Sequence, residues 1–112
     1  MSAGTYNLVV DQGSSFALDL IIKQSGAALN LTNYTGRAQL RTSHSAGSAA
    51  ASFTVTKTNA SGGALKLELS PATTAGLAAG QYVYDLEIYT ASDAIVKRVL
   101  QGDLTLTPEV TR

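Results

Sequence analysis

The sequence predicts an all-β fold, an antiparallel immunoglobulin-like sandwich of about seven strands with one short helical turn. Three observations predict it. Apolar and polar residues alternate over short runs, Gly, Ser, Asn or Asp separates the runs, and helical periodicity hardly occurs. Hairpin connections favour antiparallel pairing, because a parallel sheet needs crossover helices that the chain does not offer.

The first strand sets Tyr6, Leu8 and Val10 against Asn7, Val9 and Asp11, and Gln12-Gly13-Ser14 breaks it. A tight turn joins it to a second strand, where Phe16, Leu18, Leu20 and Ile22 alternate with Ala17, Asp19 and Ile21. Ser25-Gly26 closes that strand. Leu29 to Gly36 then reads as an irregular crossing whose Leu and Tyr side chains plug one end of the core.

The third strand carries Ala38 and Leu40 inward and Arg37, Gln39 and Arg41 outward, and Ser43 to Ala50 is a small-residue loop expected to be mobile. A hairpin follows. Ala51, Phe53 and Val55 form the inner face of its first arm, Asn59 to Gly63 the turn, and Leu65, Leu67 and Leu69 the inner face of its second arm. Ser70 before Pro71 is an N-cap signal, which predicts one or two helical turns over Ala72–Ala79 ending at Gly80. The sixth strand puts Tyr82, Tyr84, Leu86 and Ile88 on one face and Val83, Asp85, Glu87 and Tyr89 on the other. After a turn at Thr90–Asp93 the last strand runs from Ile95 to Leu106, with a bulge or corner expected at Gly102.

A chain of 112 residues, 45% hydrophobic, is expected to form one domain spanning residues 1–112. Lys and Arg total 8 and Asp and Glu total 8, so no net field draws the chain to nucleic acid or an anionic membrane. With no cysteine, disulfides and thiolate metal sites are excluded, and packing or assembly must supply the stability. Met1-Ser2-Ala3-Gly4-Thr5 carries no secretory signal, and no apolar run reaches the roughly 20 residues that span a bilayer. Synthesis and folding in a cytoplasm are therefore expected. Without a secretory route, the glycosylation-type triplets at Asn30, Asn33 and Asn59 read as chance.

Chemistry is sparsely provided. His44 is the single histidine and lies in the small-residue loop, so one copy of the chain cannot assemble a triad or a histidine metal cluster. Asp11, Asp19, Glu68, Asp85, Glu87, Asp93, Asp103 and Glu109 fall on outward strand positions, turns or the tail, where a general acid would not be desolvated. Asp85 and Glu87 stand about 7 Å apart on one strand face, a spacing that also suits a divalent ion. The plainer reading gives them cross-strand partners at Lys97 or Arg98. Gly62-Gly63 and Gly76 to Gly80 lack the strand-loop-helix context of a phosphate loop and read as turns. Tyr82 and Tyr84 point inward as core tyrosines rather than outward as a stacking platform. No cofactor, metal or small-molecule substrate is expected. Val9, Val83 and Tyr89 are apolar residues on outward positions, where a subunit contact would form.

Four segments in order, Tyr6 to Gly13, Leu31-Thr32-Asn33-Tyr34-Thr35, Gly80 to Glu87, and Gly102 to Thr111, resemble a family of small tailed-bacteriophage proteins. The shared pattern is a first strand closing on a Gln-Gly turn, a Leu-Thr-x-Tyr-Thr crossing, a Gly-x-Tyr-x-Tyr-Asp strand and a terminal Pro-Glu-Val-Thr. The resemblance implies an immunoglobulin-like virion component, similar to the sandwich domains of tail and baseplate proteins, including the N-terminal domain of upper-baseplate proteins. It implies no catalytic residues. Larger members carry a receptor-binding module after the sandwich, and here any such module is expected on another chain.

The expected function is thus non-enzymatic: a tail or baseplate structural protein, a homo-oligomer repeated around a symmetric assembly and contacting other virion proteins. Pro108 cannot donate to a ladder and is expected to steer the tail off the sheet, so Pro108, Glu109 and Val110, with Val83 and Tyr89, are the candidate partner contacts. Two alternatives stand beside it, a capsid decoration protein that plugs gaps between capsomers and a carbohydrate-binding or adhesion module. The second is poorly served by a chain with no Trp and two Phe. An enzyme is the remotest reading.

Overall fold

The computed structural model describes residues 4–24, 26–43 and 45–109. Strand accounts for 58% of the chain and helix for 7%, arranged as a curled mixed sheet, so the all-β expectation holds. The strands in chain order are β1 (Gly4–Thr5), β2 (Leu8–Asp11), β3 (Phe16–Ile21), β4 (Lys23–Gln24), β5 (Ala27–Ala28), β6 (Thr35–Arg41), β7 (Ala51–Asn59), β8 (Ala64–Leu69), β9 (Gly80–Tyr89) and β10 (Val96–Thr107). One short helix, α1 (Pro71–Ala75), lies between β8 and β9.

The main sheet runs β1-β10-β9-β6-β7-β8-β3, with β2 also on β10, and β4-β5 form a separate small ribbon. Strand β7 divides its pairing. Ser52 and Phe53 face β6, while Thr54 to Asn59 face β8, so the sheet bends along this strand and closes over one interior. Period-2 alternation fills that interior. Leu65, Leu67 and Leu69 of β8, Tyr82, Tyr84, Leu86 and Ile88 of β9, and Leu104 and Leu106 of β10 are all buried together. Leu31, completely buried, and half-buried Leu29 and Tyr34 close the end nearest the β9-β10 connection, as their place in the crossing segment predicts.

Four details differ from expectation. The turn after β2 is real, with Ser14 N–H donating to the Asp11 carbonyl at 3.1 Å, but β2 and β3 do not pair. Strands β1 and β2 instead run parallel to β10, whereas the other described pairings are antiparallel. The turn carries the chain from one rim of the curled sheet to the other, which is why a short connection here makes no hairpin. The helix is shorter than predicted because Gly76 caps it, donating to Ala72 O at 3.1 Å, and half-buried Leu77 then turns onto the core. The bulge in β10 falls between Arg98 and Leu100, not at Gly102.

Gly102 serves a different purpose. It stands in regular register opposite Tyr84, and a Cβ there would collide with the Tyr6 carbonyl. The missing side chain lets the N-terminal strand lie against β10. Tyr84 Oη donates to that same Tyr6 carbonyl, Tyr6 N–H donates to Gln101 O at 2.9 Å, and Asp103 N–H donates to Asn7 Oδ1 at 3.0 Å. Burial pushes the Tyr84 phenol up to about 12, with the neighbouring Tyr6 phenol a second cause, so it stays a neutral donor.

Candidate functional site

Two regions hold the residues singled out in the sequence. The first is the outer face of β6, β9 and β10. Register places its side chains in rows: Thr35, Tyr89 and Val96; then Arg37, Glu87 and Arg98; then Gln39, Asp85 and Gln101; then Arg41, Val83 and Asp103. Residues two apart on a strand share a face, and antiparallel partners stand side by side, so the rows follow from pairing alone.

The face is charge-balanced and internally bonded. Arg37 Nε meets Glu87 Oε1 at 2.9 Å and its guanidinium lies 4.4 Å from the centre of the Tyr89 ring. Arg98 Nε meets Asp85 Oδ2 at 3.2 Å, which gives the Asp85–Glu87 pair the cross-strand cation expected at Arg98 and a second at Arg37. Lys97 lies instead over the Tyr34 ring, 5.7 Å from its centre. Arg41 donates to Gln39 Oε1 at 3.0 Å and to Ala46 O at 2.9 Å, which ties the small-residue loop to the sheet. His44 lies outside the described residues. Gln39, Arg41, Val83, Asp85, Arg98 and Gln101 surround a shallow depression of about 140 Å³. Val83 and Tyr89 are both half-buried on this face, at the opposite ends of its four rows. The sequence reading placed Arg37, Gln39 and Arg41 outward but did not assemble them with Arg98 and Gln101; the i, i+2 spacing of charged and amide side chains on three strands was the available signal.

The second region is the end of the fold beneath β2 and β10. Pro108 is exposed, but Glu109 does not swing free of the sheet as expected. Its N–H donates to Gln12 Oε1 at 3.0 Å, and its carboxylate fills the space where a Cβ on Gly13 would stand. Gly13 has φ +82°, so this position favours glycine for conformation as well as room. Gln12 Nε2 donates to Leu77 O at 2.7 Å, and Gly13 N–H donates to Thr74 Oγ1 at 3.0 Å. Thr74 is completely buried, with its hydroxyl against the carbonyls of Ser14, at 2.9 Å, and Pro71, at 3.1 Å. Thus one glutamine joins the first turn, the segment after α1 and the C-terminal stretch. Val110 lies outside the described residues, and the Pro108–Glu109 corner is separate from the face that carries Val83 and Tyr89.

Among the described residues, no group of three or more His, Cys, Asp or Glu side chains is placed to hold a metal ion, and no helix is long and apolar enough to cross a membrane.

No protein-family model and no curated protein matches the chain. Among solved structures it is similar to part of a family 123 glycoside hydrolase from Clostridium perfringens, with a TM-score of 0.46 and 13% identity. The match covers 96% of this chain and 24% of that one, so the chain spans about a quarter of the enzyme. A likeness this distant carries no argument about activity.

Proposed function

We propose that the chain is an immunoglobulin-like structural protein of a tailed-bacteriophage virion, of the tail or baseplate, that works by association rather than turnover. The observation that carries this reading is the meeting of two motif pieces remote in sequence. The Gln12-Gly13 turn and Pro108-Glu109 both belong to the pattern that resembles the phage family, and they interlock through Glu109 N–H on Gln12 and the Glu109 carboxylate over Gly13. The two pieces thereby form one physical unit of the fold.

The immunoglobulin-like part of the reading draws on two features. Strands β2, β10, β9 and β6 line one side of the interior and β3, β8 and the second half of β7 the other. At the corner between β8 and β9, Tyr82 Oη donates to Ala78 O at 2.5 Å, a tyrosine near a strand start bonding back to the chain a few residues upstream, as in the corner of such sandwiches. The non-enzymatic part draws on the outer face, where ionic side chains pair with one another across strands.

The test is to purify particles of the phage that encodes the chain and quantify the protein by mass spectrometry. A constant copy number, in multiples set by tail symmetry, is expected. Absence from the particles would sink the reading, and a copy number matching the capsid lattice would move it from tail to head decoration.

A further inference from the structure

The outer face of β6, β9 and β10 has a charge order of its own. Along β6 the outward side chains read Arg37, Gln39, Arg41, a positive stripe, and along the adjacent β9 they read Asp85 and Glu87 between Val83 and Tyr89, a negative one. Register sets Arg37 beside Glu87, Gln39 beside Asp85 and Thr35 beside Tyr89. We propose that the β6–β9 part of this face pairs with the same part of a second copy, about a two-fold axis that runs parallel to the strands between β6 and β9. The proposal rests on the assembly reading above and names the partner for one of its surfaces.

The charge order selects this axis. Such a rotation lays β6 of one copy over β9 of the other, so Arg37 meets Glu87 of the second copy, Gln39 meets its Asp85, and Thr35 meets its Tyr89. Each contact then occurs twice, as an isologous interface requires. An axis along β9 itself would set Glu87 on Glu87 and Asp85 on Asp85, and like charges face to face oppose association. The intrachain pair of Arg37 and Glu87, with side chains 44% and 28% exposed, leaves both groups accessible from above. A second copy would extend each ion pair into a four-membered cluster and cover the ring of Tyr89.

Size sets the strength. Two strands about 4.8 Å apart and seven residues long make a patch of roughly 220 Å², well short of the about 800 Å² per partner of a standard stable interface. The pairing is therefore weak in dilute solution and is sustained in an assembly, where neighbouring contacts raise the effective concentration.

The test is sedimentation equilibrium of the purified protein up to about 1 mM, where an association worth about 4 kcal/mol is half-populated. The wild type is expected to self-associate, less so as salt rises. Arg37→Glu and Glu87→Arg, each confirmed folded by circular dichroism, are each expected to associate about tenfold more weakly or worse, because each sets two like-charge pairs across the axis. An equimolar mixture of the two variants is expected to recover association. In the mixed pair an acidic and a basic side chain again face each other on both sides of the axis, because one copy is acidic at both positions 37 and 87 and the other is basic at both. A purely intrachain ion pair predicts no recovery on mixing, and that result overturns the proposal. On dilution of the wild type, amide resonances of Thr35, Gln39, Asp85 and Tyr89 are expected to shift while those of β3 and β8 stay fixed; the reverse pattern also overturns it. A protein that belongs to the particle but stays monomeric at about 1 mM refutes this pairing and leaves the virion reading standing.

Discussion

The two ends of the curled sheet are closed by different physics. At the end nearest the β9-β10 connection, Leu29, Leu31 and Tyr34 seal the core by apolar contact, and Leu31 is completely buried. At the other end the seal is polar. Thr74, Gln12 and Glu109 link three segments by directed hydrogen bonds, and Gly13 leaves the room they need. Apolar packing tolerates small shifts and depends on volume, whereas hydrogen bonds fail when one partner is lost. The first end is thus a plug, and the second a joint that ties three segments together.

The sharpest way to break this contrast is to delete volume at the plug. Leu31→Ala is expected to cost about 2–5 kcal/mol in urea unfolding, with Leu31→Met recovering most of it because volume is conserved. At the joint, Thr74→Val keeps the volume but strands Gly13 N–H and the Ser14 carbonyl, for an expected loss of about 1–3 kcal/mol, and Thr74→Ser should be milder. If Thr74→Val proves neutral while Leu31→Ala is severe, the joint is apolar after all and the contrast collapses.

A smaller effect probes the lock between the N-terminal strand and β10. Tyr84→Phe removes the bond to the Tyr6 carbonyl and is expected to cost about 1 kcal/mol at neutral pH. The phenol has an ordinary value of 10.0 and is raised to about 12 in the fold, so the unfolded chain ionises first as pH climbs. Its stabilisation is therefore complete below pH 10 and lost as pH rises from 10 toward 12. The Phe variant should show a shallower decline in melting temperature across that window, and identical slopes would refute the role of Tyr84. The smallest expected effect lies on the outer face. Glu87→Ala should change stability by less than about 1 kcal/mol, because an exposed ion pair contributes little to folding. A larger loss would assign the face to the fold rather than to a partner.

Much of this was legible before the structure. Alternation placed Tyr82, Tyr84, Leu86 and Ile88 inward and Val83, Asp85, Glu87 and Tyr89 outward, because strand periodicity is local. The plug was legible for the same reason, as Leu29, Leu31 and Tyr34 are apolar residues in a segment without strand pattern. The parallel pairing of β2 with β10 was not. Partner choice depends on residues nearly a hundred positions apart, and a tight turn resembles a hairpin whether or not its strands bond. The role of Gly102 was hidden likewise, since the Tyr6 carbonyl that approaches it belongs to the opposite end of the chain. The outer-face positions of Val83 and Tyr89 were legible from alternation, but the anchoring of Glu109 on Gln12 was missed because proline at position 108 suggested a free tail.

Association is the central claim, and a reconstruction of the assembled particle by electron microscopy tests it most directly. The predicted result is a ring or tube of sandwich-shaped density in which the outer face of β6, β9 and β10 and the Gln12–Glu109 corner are covered by neighbouring chains. Density for this chain with both regions open to solvent in every copy, or no such density in the particle, would contradict it.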